Sequence, residues 1–556
     1  MKKIAIIFLS FALILSIFFI FTINSKYQEL KNNIISSYFE NHYYINNEEI
    51  LDNSIIEKNG KILISYNTIK KYIDDEVTLS NSSTRVYFTL RNVEFNAGNT
   101  LVDRYIYDYL KSFNLPVIKA NNNNYISYDM LSKFYKLRLL KYEKSSNVYV
   151  FTDGLKVAII DKKTKITGRL DKSSITLDKL NTGEKVYLFN SKINENNEYN
   201  IIDKNGYLGY IKSENINSIN SVDMSIVKKS DRIKKQSNLE TVNVMWDQVG
   251  SYSKNKNLTD TNYLKGINII SPTWFKINVD GIVLNEASLD YVNRVHSDKK
   301  MVWALFSNSF NKDWTSKMFT NEEFKKNTIA QILFYSSVYN LDGINIDFEN
   351  MNLSDKANFV EFTKELGALL DEYKVYSSLD VTVPGGSDAY SKVLDRKKLS
   401  ENVDYIMLMA YDEFWASSKV AGSVASANWT EKGIVGTLEE VDTSKLVLGI
   451  PLYTRIWEET KLKSGKKVAK SSTLSVKNSS KYITDNNIDI KYDKVSQQNY
   501  GEYYKNDKLN RIWFEDSKSF DMRKNLKSKY NLKGYGFWSI EFIDENTWNE
   551  IYKIIE

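Results

Sequence analysis

The stretch "LDGINIDFEN", residues 341–350, runs an apolar series against a polar one: Ile344, Ile346 and Phe348 alternate with Asn345, Asp347 and Glu349. Successive side chains of a strand face opposite ways, so the three polar residues share one face. A solvated edge strand would accommodate them. In a strand buried on both faces, carboxylates are expensive unless paired or used. The rest of the chain decides between these readings.

From residue 241 onward, apolar strands alternate with helical stretches. Eight strand candidates stand out: 242–246, 267–271, 301–307, 343–349, 378–384, 405–412, 445–453 and 534–540. Between them lie helical segments at 321–340 and 354–374, the second opened by a Ser354-Asp355 cap before apolar residues at helical spacing. Strands buried on both faces and alternating with helices predict a parallel sheet, and eight of them predict a (β/α)8 barrel. A doubly wound open sheet is the structural alternative. The gap from Thr454 to Lys533 exceeds one crossover, so an inserted subdomain is expected after strand seven.

Composition narrows the chemistry. The 556 residues carry no cysteine, which removes disulfides, thiolate nucleophiles and Cys-type zinc sites together. Only two histidines, His42 and His296, are present, so His-based metal centres and Ser-His-Asp catalysis are poorly supported; His296 reads as a surface residue of a helix. The formal charge of +6 is small and its basic residues are dispersed, so nucleic acid is not an expected partner. No metal or cofactor is expected. Carboxylates and aromatics are left to carry any catalysis.

The region before 241 divides three ways. Residues 4–23, "IAIIFLSFALILSIFFIFTI", are twenty residues without a charge behind Lys2 and Lys3. That length suits a membrane-spanning helix, and no small-x-small cleavage pattern follows. An uncleaved anchor (1–25), single-pass in the cell membrane with the remainder outside the cytoplasm, is therefore expected, or a secreted protein if the segment is cleaved. In residues 26–152, "ILISYNTIKKY" (62–72) followed by "TRVYF" (84–88) is echoed by "YISYDMLSKFY" (125–135) and "NVYVF" (147–151), which predicts a duplicated α+β module. It resembles the copper amine oxidase N-terminal-like repeat, without implying copper. Residues 153–218 are short β runs between polar turns, the pattern of a small barrel. "GYLGYIKSENI" there resembles the closing strands of a bacterial SH3 domain, a module that binds peptidoglycan or serves as a spacer. Residues 219–240 read as a charged linker.

In a (β/α)8 barrel the active site forms at the C-terminal strand ends. Those ends bring Trp246, Trp274, Asp347, Glu349, Tyr411, Asp412, Arg455 and Trp538 to one face. Acids among aromatics suit sugars, whose C–H faces stack on rings while their hydroxyls seek hydrogen bonds. Here "DGINIDFE" (342–349) resembles the D-x-x-D-x-D-x-E signature of glycoside hydrolase family 18, "MAYD" (409–412) its strand-six motif, and Trp538 its strand-eight tryptophan. The resemblance covers 241–556 and is nearest to the spore cortex and germination branch.

That resemblance implies retaining, substrate-assisted hydrolysis beside N-acetylglucosamine, in peptidoglycan, spore cortex or chitin. It makes Glu349 the general acid and later base, Asp347 the group that orients the acetamido function, and Tyr411 a donor to the acetamido carbonyl. Trp538 would floor the sugar pocket, and Asp412 would bind sugar or tune Glu349. A like charge on Asp347 is expected to raise the Glu349 pKa. The signature's middle acid is Asn345, placed with the substrate-binding residues, and the resemblance makes Asn345→Asp a mild change. Trp246 and Trp274 read equally as sugar-stacking or core residues, Arg455 as a substrate contact or a rim cap, and Asp342 as strand-entry structure. A sugar-binding protein on a retired barrel, or a docking scaffold, remains the reading from another class.

Overall fold

The computed structural model describes residues 16, 19–26, 42–89, 100–170, 173–224, 235, 239–461 and 467–556. By contact these fall into two compact units. One holds the residues up to 77 and 117–224; the other holds 78–89, 100–116, 235 and 239–556.

The second unit is built on eight parallel strands: β1 (Val244–Asp247), β2 (Ile269–Pro272), β3 (Met301–Ser307), β4 (Gly343–Asp347), β5 (Tyr376–Thr382), β6 (Tyr405–Met409), β7 (Leu446–Pro451) and β8 (Gly534–Trp538). Each pairs in parallel with the next, and β8 pairs with β1, so the sheet closes. It is the expected (β/α)8 barrel, with a helix after every strand but the first, where a short 3-10 turn (Tyr252–Lys256) stands instead. The open-sheet alternative is excluded by closure. The helix after β4, Lys356–Glu372, begins where expected, but Asp355 does not cap it; that carboxylate accepts from the Ser316 hydroxyl. After β7 the chain leaves the barrel for a five-stranded antiparallel sheet between Tyr453 and Trp513, the expected insertion.

The lower barrel is packed by large rings. Trp303 stacks on Tyr376 and Tyr405 at centroid distances of 5.2 and 5.8 Å. Position 343 must be glycine for this, because a Cβ there would lie 2.5 Å from the Trp303 ring. Above this layer Asn345, Asp347, Ser378 and Asp380 are buried polar residues on β4 and β5. Hydrophobic packing thus fills the floor, and polar groups are lifted to the C-terminal face.

Residues 78–116 depart from the sequence reading, which placed them in the duplicated module. Their described part forms a small sheet (Thr78–Leu79, Arg85–Thr89, Ser112–Pro116) and a helix (Leu101–Tyr109) that belong to the barrel's unit. Asn114 is buried there and exchanges hydrogen bonds with Tyr335, Asn285 and the Val283 carbonyl. Phe113 packs on Phe334 at 4.4 Å, and Arg85 pairs with Glu286.

In the first unit the echo is a real pairing. Strands Lys61–Ser65 and Asn123–Ser127 run antiparallel with Ile64 opposite Ile126, and Ser65 and Ser127 cap the helices that follow. The small β region is a seven-stranded antiparallel sheet from Lys156 to Ser221, so its last strand (Ile216–Ser221) extends past the expected boundary at 218. Residues 225–234 and 236–238 of the linker lie outside the described residues. So does most of the predicted anchor; residues 19–26 are helical, and among the described residues no helix is long and apolar enough to cross a membrane.

Candidate active site

The alternation in β4 is resolved as two faces. Ile344, Ile346 and Phe348 are buried toward the surrounding helices, where Phe348 stacks on Phe359 at 5.4 Å and meets Phe306 edge-on at 5.1 Å. Asn345, Asp347 and Glu349 take the opposite face, rising in that order toward the C-terminal rim. Glu349 lies just beyond the strand, and its backbone is held by Asn308 after β3. The Asn308 amide donates to the Glu349 carbonyl at 2.7 Å and accepts from its N–H at 3.1 Å. Asn308 is itself buried and bonded to Thr315. The "LFSN" segment (305–308) therefore clamps the chain that carries Glu349.

Glu349 is half-buried and Asp347 is 6% exposed; their carboxyl groups share a hydrogen bond. No ion pair reaches either acid among the described residues, and Asp347 Oδ1 has no partner there. Burial, then the nearby Asp412 carboxylate, pushes Glu349 up to about 7, while its hydrogen bond with Asp347 acts the other way. Asp347 is itself pushed well above the usual carboxylate range by burial and then by the Glu349 charge, so the repulsion expected between the two acids falls on Asp347. Two acids with this little counter-charge hold a proton into the neutral range.

Tyr411, just past β6, faces the same group. Burial raises its hydroxyl well above the ordinary tyrosine range, followed by the influence of Asp380, Tyr453, Asp347 and Glu349. Its ring needs the glycine at 449, where a Cβ would lie 3.1 Å from Tyr411 and 2.4 Å from the Leu408 carbonyl oxygen. Asp412 follows with φ +59° and accepts from the Tyr453 hydroxyl (2.7 Å) and from Arg455 (2.9 Å). Trp538 is half-buried at the end of β8, its ring 5.9 Å from Trp246.

Four of the residues expected to bind substrate sit differently. Trp246 is 1% exposed in the core, packed over Gly536. Trp274 is fully buried, donates to Asn255 at 2.8 Å and meets Tyr291 edge-on. Both are packing residues here. Asn345 is 1% exposed and spends its whole amide inside the protein: Nδ2 donates to Asp380 (2.7 Å) and Ser378 (3.1 Å), and Oδ1 accepts from Trp246 (2.8 Å) and Ser271 (3.4 Å). Two donors and two acceptor sites are filled, which leaves none for a sugar. Arg455 is turned onto Asp412, the rim-cap alternative.

Asp342 is strand-entry structure as expected, its side chain fully buried between the Val302 N–H (2.8 Å) and His296 (2.7 Å). His296 is thus a partly buried partner of that acid and not a free surface residue. The residue missed altogether is Asp380. It stands in "SLDVTVP", and the two-residue period that singled out Asp347 would have flagged it.

The chain matches the profile of glycosyl hydrolases family 18 over residues 246–542. It is 25% identical over 306 residues to a Bacillus subtilis (strain 168) protein named uncharacterized glycosylase YvbX, covering 53% of this chain and 86% of that protein. It is 24% identical over 245 residues to the cortical fragment-lytic enzyme of Bacillus anthracis, covering 43% of this chain and 56% of that enzyme. Among solved structures, the spore cortex-lytic enzyme SleL of Bacillus megaterium QM B1551 shares the fold at a TM-score of 0.51 and 16% identity, over 57% of this chain and 74% of that one. A chitinase from Chromobacterium violaceum ATCC 12472 does so at 0.50 and 20%, over 56% and 98%. With its profile match covering more than half the sequence and a carboxyl pair at the end of β4 of a closed barrel, the chain belongs to glycosyl hydrolase family 18 and is a glycosidase.

Proposed function

We propose that the protein cleaves β-1,4 glycosidic bonds beside N-acetylglucosamine in peptidoglycan or spore cortex, by a retaining route in which the substrate's own acetamido oxygen is the nucleophile. The observation that carries this reading is the pair of acids on one face at the end of β4, Asp347 buried and Glu349 half-buried, with no ion pair among the described residues and Tyr411 facing them; the surroundings push Glu349 up to about 7. Glu349 gives its proton to the glycosidic oxygen as the acetamido carbonyl oxygen closes on the anomeric carbon. Asp347 Oδ1, without a partner among the described residues, accepts from the acetamido N–H, and the Asp347–Glu349 pair, left with one negative charge once Glu349 has given up its proton, balances the oxazolinium charge. The Tyr411 hydroxyl donates to the acetamido carbonyl and holds it in line. Water then attacks the anomeric carbon, losing its proton to the Glu349 carboxylate. Trp538 offers its half-buried ring to the sugar, and Asp412 keeps Glu349 protonated into the neutral range.

The wall polymer is favoured by the relatives named for cortex lysis and by the small β domain read as SH3-like. The chain spans about half the length of those cortical fragment-lytic relatives. Chitin oligomers are the second substrate class, favoured by the chitinase-like barrel. The uncharged run at 4–23 supports an anchor that holds the catalytic unit outside the cytoplasm. The test is digestion of purified peptidoglycan, spore cortex and chitin oligomers by the full chain, with products read by mass spectrometry. New N-acetylglucosamine reducing ends from wall material support the proposal. Cleavage of chitin oligomers alone would keep the chemistry and discard the wall.

A further inference from the structure

Asp380 has no part in the steps above, yet it is among the least solvated acids of the barrel, 4% exposed on β5. The ladder pairs Asn345 with Ser378 and Ile346 with Leu379, so Asp380 stands one step further up, at the level of Asp347. Among the described residues no lysine, arginine or histidine forms an ion pair with it. Asp380 Oδ1 accepts from Asn345 Nδ2 at 2.7 Å. The titratable groups that face it are Asp347 and Glu349 from β4 and Tyr411 from beyond β6.

A buried acid with one neutral donor and no cation is unfavourable on its own. Asn345 meanwhile is fixed from both sides, by Trp246 and Ser271 at its oxygen and by Ser378 and Asp380 at its nitrogen. That clamp aims one N–H at Asp380 and favours its charged form, while burial, the larger influence, pushes Asp380 well above the usual carboxylate range. Asp380 is in turn one of the groups that raise Asp347, after burial and Glu349. We infer that Asp380 is a positioning residue for the reaction: steered by Asn345, it supplies from β5, at the level of Asp347, the acid that β4 lacks at position 345. This rests on the reading of Asp347 and Glu349 as the reacting pair.

The test compares wild type, Asp380→Asn, the exchange variant Asn345→Asp/Asp380→Asn, and Glu349→Gln as control. All are run on whichever N-acetylglucosamine polymer the wild type cleaves. Asp380→Asn is expected to lower kcat ten- to hundredfold with KM within threefold, and to move the pH profile toward lower pH, since Asp347 then loses its proton sooner. The exchange variant restores an acid to the pair across the same contact and recovers at least tenfold of the lost kcat. Should Asp380→Asn fail to fold, the exchange variant decides alone: within tenfold of wild type supports the inference, and folded but inactive overturns it. Asp380→Asn with unchanged kcat and pH profile, or an exchange variant no better than the single, also overturns it while leaving Glu349 and Asp347 untouched. A wild type that cleaves none of these polymers, or an active Glu349→Gln, overturns the underlying reading and this inference together.

Discussion

The two ends of β4 carry acids treated in opposite ways. At the entry, Asp342 is buried against a histidine and a backbone N–H, each within 2.8 Å. At the exit, among the described residues, Asp347 and Glu349 face each other, with Asp380 and Asp412 adding acidic neighbours. Each strand end leaves one carboxylate oxygen unpartnered, Oδ1 of Asp342 and Oδ1 of Asp347, so the ends differ in what surrounds them: hydrogen-bond partners on Oδ2 at the entry, other acids at the exit. Acids crowded together without a cation are the pattern of a functional site.

The largest effect expected from this contrast is at Glu349. Glu349→Gln should fold and lose activity on the order of 10²-fold or more in kcat, as removal of a general acid does. It should also change stability in a defined pH window. The folded chain holds this proton up to about 7, whereas 4.5 is the ordinary value, so between the two the unfolded chain loses its proton first and stability falls as pH rises. Glu349→Gln removes that loss. Thermal melts should favour the variant above pH 7, by on the order of 1–3 kcal/mol, and converge near pH 4.5. A variant no more stable than wild type at pH 8 would break the contrast.

Asp347→Asn ranks next, with kcat reduced by about 10²-fold and binding of substrate largely kept, measurable as a kcat effect with little change in KM. At the other end of the strand the signs reverse. Asp342→Ala leaves the Val302 N–H and His296 without their partner and should lower stability by about 2 kcal/mol. Its kcat at 25 °C should stay within about twofold of wild type, because nothing at the rim has moved. A large loss of kcat in a folded Asp342→Ala would erase the distinction between the ends. The smallest effect is at Asp412, which is partly exposed. Asp412→Asn removes one of the influences that raise Glu349, so the alkaline limb of the rate profile should shift to lower pH.

The barrel was legible because strands buried on both faces leave an apolar signature at a regular spacing, and all eight candidate runs lie on observed strands. The carboxyl pair was legible because period-two alternation in an apolar strand is hard to explain otherwise. Other features left no such trace. Trp246 and Trp274 stand at strand ends where a sugar platform and a core ring have the same sequence context, and only their burial separates them. Asp380 sat inside a run read for its apolar residues. Residues 78–116 carry part of an internal echo, and no local pattern shows that Asn114 and Phe113 pack with the barrel instead. His296 looked like any polar residue on a helix; its acid lies 46 positions away.

The most direct test of the account is the pH dependence of kcat/KM for the wild type on cleaved wall fragments or chitin oligomers. The account predicts a rate that falls above about pH 7 as Glu349 loses its proton, with Asp412→Asn moving that fall to lower pH. A rate that stays level to pH 9, or a fall that Asp412→Asn leaves in place, would contradict the assignment of Glu349 as the proton donor held by its buried neighbours.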